Sequence, residues 1–311
     1  MTTFTTPTRH TDRAAGLHYV ESPVRQRTVL ACGSWRRVTR RIVCGLTCAL
    51  TMSSLLMPSI SFAAEWVEVD GTTYNAGTAA GDGNTWAWDG ADDMTLNGYN
   101  GGGIAAGGKL NVSYEGDNTV ANEYGDGISV IDGANEDAEL NISGTGTLTA
   151  TAEGNALYSA DDLTINGTGT VTAKSGSGEG ILADGDMTIT GGGTVDARSE
   201  RDCGVVAKET LTVSNSTLTA QGLGSGIYAF DGLTIDAATV RAYAYPARED
   251  SPTTIFTDEG DITIKNGSFV HAYAEGENAS GIYSYNYGPG SPGGRIFISD
   301  STVEAIAHYI N

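Results

Sequence analysis

Tyr158, Leu182, Val206, Tyr228, Phe256 and Tyr283 each fill the third place of a short motif, Gly-Ile-x-Ala or a close variant, at steps of 22 to 28 residues. In an extended strand that place points away from the side that carries the Ile and Ala. Six outward apolar residues in succession would form a stripe on the surface. Aromatic faces in it could stack on the axial C–H groups of sugar rings, which complement the negative face of a π system. The competing reading is a covered stripe, with another chain or the segment holding Trp66, Trp86 and Trp88 lying over it.

A second set of residues is acidic. Asp161, Asp162, Asp184, Asp186, Asp231, Asp258, Glu259 and Asp261 stand just before a recurring apolar-Thr-apolar triplet, and Lys208-Glu209-Thr210 interrupts the pattern once. Carboxylates on adjacent turns of a stacked fold could share Ca²⁺, which takes about six to eight oxygen ligands. Asp162, Asp184, Asp186, Asp231 and Asp261 are the expected metal ligands on that reading. A solvated acidic corner that keeps the chain soluble explains the same residues without a metal. Neither an Asp-x-Asp-x-Asp-Gly loop nor a nonapeptide calcium repeat occurs.

Catalytic constellations are scarce, and no residue is expected to be catalytic. Lys174 and Arg198 share one position of the repeat with Asp196 nearby, which could supply a lyase base beside carboxylates, but a cross-rung salt ladder explains them more simply. Nothing singles out the two carboxylates that a glycosidase needs across a cleft. His271 aligns with Arg241 on an outward face and reads as a surface residue.

These columns need a scaffold that repeats. Leu163-Thr164-Ile165 has counterparts in Leu140-Asn141-Ile142, Met187-Thr188-Ile189, Leu211-Thr212-Val213, Leu233-Thr234-Ile235, Ile262-Thr263-Ile264 and Ile296-Phe297-Ile298, with Leu110-Asn111-Val112 and Met94-Thr95-Leu96 as looser matches. Successive steps from Leu140 are 23, 24, 24, 22, 29 and 34 residues, the last two stretched by insertions with Pro246 and Pro252, then Pro289 and Pro292. Each unit adds a Gly-Ile-x-Ala strand before the triplet and an x-Val-x-Ala strand after it, with Gly-rich corners such as Gly191-Gly192-Gly193 that permit positive φ. A unit of three such short strands cannot bury a face alone. Stacked on its neighbours at about 4.8 Å, it builds three parallel sheets around one apolar column, and crossover chirality favours a right-handed coil. A spacing near 23 is too short for a propeller blade, and no Asn-Gly hairpin recurs in register to support an antiparallel sandwich. The outward Thr164, Thr188, Thr212, Thr234 and Thr263 resemble the flat ladder of an ice-binding surface, but their neighbours Asn166, Thr190, Ser214, Asp236 and Lys265 break it.

The start of the chain reads as an address. Arg36, Arg37, Arg40 and Arg41 precede an apolar run from Ile42 to Ile60 and then Ser61-Phe62-Ala63-Ala64, the order of a secretory signal cleaved after Ala63. A membrane anchor is the alternative, against which stand Thr47, Thr51, Ser53, Ser54 and Pro58 within the run. The full chain carries −21, from 38 acids and 17 Lys and Arg. Residues 1–63 hold eight of those bases and only Asp12 and Glu21 of the acids, which leaves 36 acids against 9 bases after cleavage, or −27. Such a surface repels nucleic acid and anionic lipid. Cleavage also removes Cys32, Cys44 and Cys48 and leaves Cys203, so no disulfide is expected within the mature chain and no cysteine zinc site.

Gly178-Glu179-Gly180-Ile181-Leu182-Ala183, followed by Asp186-Met187-Thr188-Ile189-Thr190-Gly191-Gly192-Gly193-Thr194-Val195, resembles the repeat of bacterial secreted carbohydrate-binding β-helix proteins, whose fold is similar to that of pectate lyases. The resemblance runs from about Gly127 to Ala305. It implies a secreted or cell-surface protein, and binding of acidic or cellulosic polysaccharide, with Ca²⁺ in the structure, as in some members.

The expected fold is therefore all-β, a right-handed parallel β-helix of about 22–24 residues per rung with three short strands. The expected division is a polar, disordered leader over 1–35, a signal peptide over 36–63, an N-terminal cap with the first strands over 64–100, and the β-helix over 101–311, truncated at its C-terminus. The first functional expectation is a non-catalytic protein that binds polysaccharide or a cell-surface glycan along one outward ladder, without nucleic acid and without membrane insertion after cleavage. A structural or adhesin-type stalk is the second, and a polysaccharide lyase the third. Expression in a secreting bacterial host should yield a mature chain whose N-terminal sequence begins at Ala64. Recovery of residues 42–60 with the membrane fraction would overturn the cleavage reading.

Overall fold

The computed structural model describes residues 63–134, 138–246, 251–285 and 294–309. The leader, the signal segment and the insertion with Pro289 and Pro292 lie outside the described residues. Everything described is strand and corner, arranged as three sheets of ten, eleven and nine strands. From Ile104 onward the chain visits the sheets in turn, and each strand pairs in parallel with its equivalents in the units before and after. This is a parallel β-helix.

Register follows the motif residue by residue. In the first sheet Ile128, Leu157, Ile181, Val205, Ile227, Ile255 and Ile282 are successive partners. Leu140, Leu163, Met187, Leu211, Leu233, Ile262 and Ile296 do the same in the second, and Ala150, Ala173, Ala197, Ala220, Ala242, Ala272 and Ala305 in the third. As far as Ile255, Ile262 and Ala272 these inward residues form one buried column; on the last rung Ile282 is partly buried and Ile296 and Ala305 are exposed. Ala is needed opposite Leu and Ile because three sheets closing on a narrow interior leave room for one bulky layer and one small one.

The loose match at Met94 is offset. Met94 and Leu96 pair with Val112 and Tyr114 rather than with Leu110 and Val112, a shift of two that preserves which side faces in. Before Ile104 antiparallel pairs join the parallel ones: Trp66–Val69 lies between Thr72–Asn75 and Ile104–Gly107, and Trp86–Trp88 pairs with Asp93–Asn97. Trp88 is buried in the main core and donates its ring N–H to Ala91 O at 3.1 Å. Asn118 takes the place of an inward Leu and is fully buried, but its amide is satisfied by Tyr99 N–H and by the carbonyls of Glu115 and Thr147, which removes the cost of burying it.

The corner after the second strand has one conformation on five rungs. Gly191, Asn215, Ala237, Asn266 and Asp300 all adopt positive φ there, between 47° and 94°. Gly and Asn tolerate that region and Ala does not, so Ala237 is held in it by the rungs on either side. Cys203 is fully buried.

Leu211 faces the core and its neighbour Thr212 faces out. Leu211→Ala should cost about 2–5 kcal/mol and Thr212→Ala under about 1 kcal/mol, measured by denaturant unfolding. Equal losses would mean the side assignment is wrong.

Candidate functional site

The six stripe residues are in register, each hydrogen-bonded partner's equivalent on the next rung. Their exposure is uneven. Leu182, Val206 and Tyr228 are 7%, 1% and 5% exposed, and with Cys203 they form a second apolar cluster outside the main core, flanked by Tyr158, Phe230 and Phe256. None of the three tryptophans belongs to that cluster: Trp88 lies in the main core and Trp86 packs against it. Exposure returns at the far end, where Tyr283 is 45% and Tyr285 37% accessible.

Ring orientation decides what this stripe offers a ligand. Tyr228 and Phe256 are stacked with centroids 5.5 Å apart, Phe256 and Tyr283 at 5.8 Å, and Tyr283 and Tyr285 at 6.2 Å. Rings stacked along the axis use their faces on one another, so within the ladder it is ring edges that point outward.

The acids ahead of the second strand are largely occupied in joining rungs. Asp162 accepts the Asp186 N–H at 2.8 Å, and Asp186 accepts the Thr210 N–H at 2.9 Å and its hydroxyl at 2.6 Å. Asp184 pairs with Lys208, and Asp261 accepts the Arg295 N–H and guanidinium. Asp231 belongs to a group with Asp161, Asp162 and Asp186 around Glu209, whose carboxyl is held above its usual range first by burial and then by those four charges. Among the described residues the carboxylates that converge closely enough to share one ion are Asp89, Asp92 and Asp93 near the N-terminal hairpin, and Asp89 there accepts the N–H groups of Ala91 and Asp93.

Arg198 makes a two-pronged pair with Asp196 on its own strand, at 2.8 and 2.7 Å, while Lys174 lies beside Arg198 on the next rung. The guanidinium is thus committed as a salt-bridge partner. His271 contacts Glu304 at 3.1 Å and lies 5.9 Å from the Tyr243 ring.

Three surface features were not anticipated. Tyr243 and Tyr273 are neighbours on the outer face of the third sheet, with Arg241 over the Phe269 ring at 5.8 Å; the doubled Tyr at one offset was the available signal. A cleft of about 580 Å³ by the first rungs is lined by Glu68, Asp70, Asn122, Glu123, Tyr124 and Asp126. A groove of about 480 Å³ on the second sheet is lined by Asn, Ser and Thr. Both hollows arise between residues far apart in the chain, and no local motif marks them.

A family model described as carbohydrate-binding domain-containing protein matches residues 134–288. No curated protein and no solved structure matches the chain. The matched span contains the rungs that carry the apolar stripe, and the match supports a carbohydrate-binding role. No helix among the described residues is long and apolar enough to cross a membrane.

Glu179 sits at the strand entry beside Leu182, and its carboxyl is pushed up to about 7, first by burial and next by Asp202. A raised carboxyl favours the fold while protonated, so its contribution is complete below the ordinary value of 4.5 and is lost as pH rises toward 7. Glu179→Gln in the full-length chain should raise Tm at about pH 8 and leave it nearly unchanged at about pH 4. An equal shift at both would exclude this group as the source.

Proposed function

We propose that this is an exported, non-catalytic protein that binds polysaccharide along an outward ladder of the β-helix. The match over residues 134–288 carries the reading, because it falls on the rungs where the outward columns repeat. Within the stripe of Tyr158, Leu182, Val206, Tyr228, Phe256 and Tyr283 the assigned contact is the exposed end at Phe256, Tyr283 and the neighbouring Tyr285, because Leu182, Val206 and Tyr228 are buried. Sugar C–H groups would meet the outward ring edges of the ladder.

Calcium assistance belongs to the same proposal. Glu209 and the acids around it repel one another, and cations gathered loosely at that corner would relieve the repulsion, whereas Asp89, Asp92 and Asp93 converge closely enough to share one ion. Export through residues 36–63 gives the acidic mature surface access to extracellular glycans. The burial of Leu182, Val206 and Tyr228 favours one other reading, a stalk whose stripe is a packing surface.

A glycan array, run with Ca²⁺ and with chelator, separates these. The expected result is retention of at least one acidic or β-linked glycan, weakened about tenfold or more by Tyr283→Ala. Silence across the array would leave the stalk reading standing, and unsaturated products released from polygalacturonate would replace both with a lyase.

A further inference from the structure

The outer face of the second sheet carries two columns of short polar side chains on four successive rungs. Asp93, Asn111, Asn141 and Thr164 form one; Thr95, Ser113 and Ser143 are in register in the other, with Asn166 following on. Between them lies the groove of about 480 Å³. Its polar groups are held in place. Asn141 Nδ2 donates to Asn111 Oδ1 and to Glu139 Oε1, both at 2.9 Å, and Asn111 Nδ2 donates to Asp93 Oδ1 at 2.9 Å. That chain fixes both amides upright and leaves one N–H of Asn111 and the carbonyl oxygen of Asn141 for a ligand. The surface continues toward the C-terminus as Thr188, Thr212 and Thr234, with Ser214 donating to Thr190 at 3.0 Å, and ends where Lys265 meets Asp236 at 3.3 Å.

We propose that this face is a binding track for an extended, uncharged glycan, seated in the groove at Asn111 and Asn141. The inference rests on the polysaccharide reading and adds a second surface and a ligand class to it. Equivalent groups recur about 4.8 Å apart, comparable to the advance per residue of an extended β-linked glycan. Alternating donors and acceptors match sugar hydroxyls, which serve as both. The charge argues for a neutral ligand. Within the groove the ionisable group is Asp93. Lys109, on the same strand as Asn111, is tied to Glu139 at 2.8 Å, and the whole chain carries −21. A uronic acid polymer would bring its carboxylates to an acidic surface whose cations Lys109 and Lys265 are already paired with Glu139 and Asp236.

Affinity gel electrophoresis of the full-length protein through hydroxyethylcellulose, with polygalacturonate as the charged comparison, tests this. Hydroxyethylcellulose should retard the protein. Ser143→Trp, which fills the groove from an exposed position, should abolish retardation, and Asn141→Ala should weaken it about five- to tenfold. Thr219→Trp, equally bulky on the third sheet, should leave it unchanged. Thermal melts confirm that each variant is folded; if Ser143→Trp is not, Asn141→Ala carries the test. Wild-type retardation by a folded Ser143→Trp or an unweakened Asn141→Ala overturns the track. Retardation by polygalacturonate alone overturns the neutral ligand but leaves polysaccharide binding intact, and retardation by neither polymer removes both.

Discussion

The structure depends on one constraint: each strand must pair with its equivalent in the next unit at the same residue. In a parallel ladder a slip of one residue would send every inward Leu, Ile and Ala to the solvent side. The register therefore holds the core, and the core holds the register. No unit is stable alone, since three strands of a few residues bury little surface until neighbours cover both edges. The two longest steps leave the ladders in register, with Ile227 still paired to Ile255 and Ile262 to Ile296.

The same constraint turns polar residues into fasteners between rungs. Asp162, Asp186 and Asp261 each accept an N–H from the following unit, and the Asn141 side chain donates to Asn111 across adjacent rungs. A carboxylate that accepts backbone N–H groups at a corner satisfies donors that the sheet cannot reach. This accounts for why a chain with so many acids tolerates them near strand ends: much of the negative charge is held by local donors, and pairs such as Asp184 with Lys208 and Asp261 with Arg295 offset more of it.

Much of the fold was legible because the repeat is one-dimensional. Leu163, Met187 and Leu211 announce their partnership by spacing alone, and Gly191 to Gly193 announce a corner. The offset of Met94 was hidden because a shift of two residues leaves the alternation unchanged, so the pattern alone cannot distinguish the registers. The candidate site was legible only as columns. Spacing placed Tyr228, Phe256 and Tyr283 in line, but whether rings present faces or edges depends on side-chain torsions, and whether Val206 is covered depends on what packs above it. The groove at Asn141 was less visible still, since short side chains leave no hydrophobic signal and their concavity exists only once four rungs are stacked.

The stacked rings from Tyr228 through Phe256 to Tyr283 and Tyr285 have one more consequence. Aromatic chromophores held nearly parallel at 5.5 to 6.2 Å couple their electronic transitions, and that coupling vanishes when the rungs separate. The molecule thus contains its own optical marker, confined to one end of the solenoid. Near-ultraviolet circular dichroism would follow the loosening of those last rungs, while the backbone signal follows the whole.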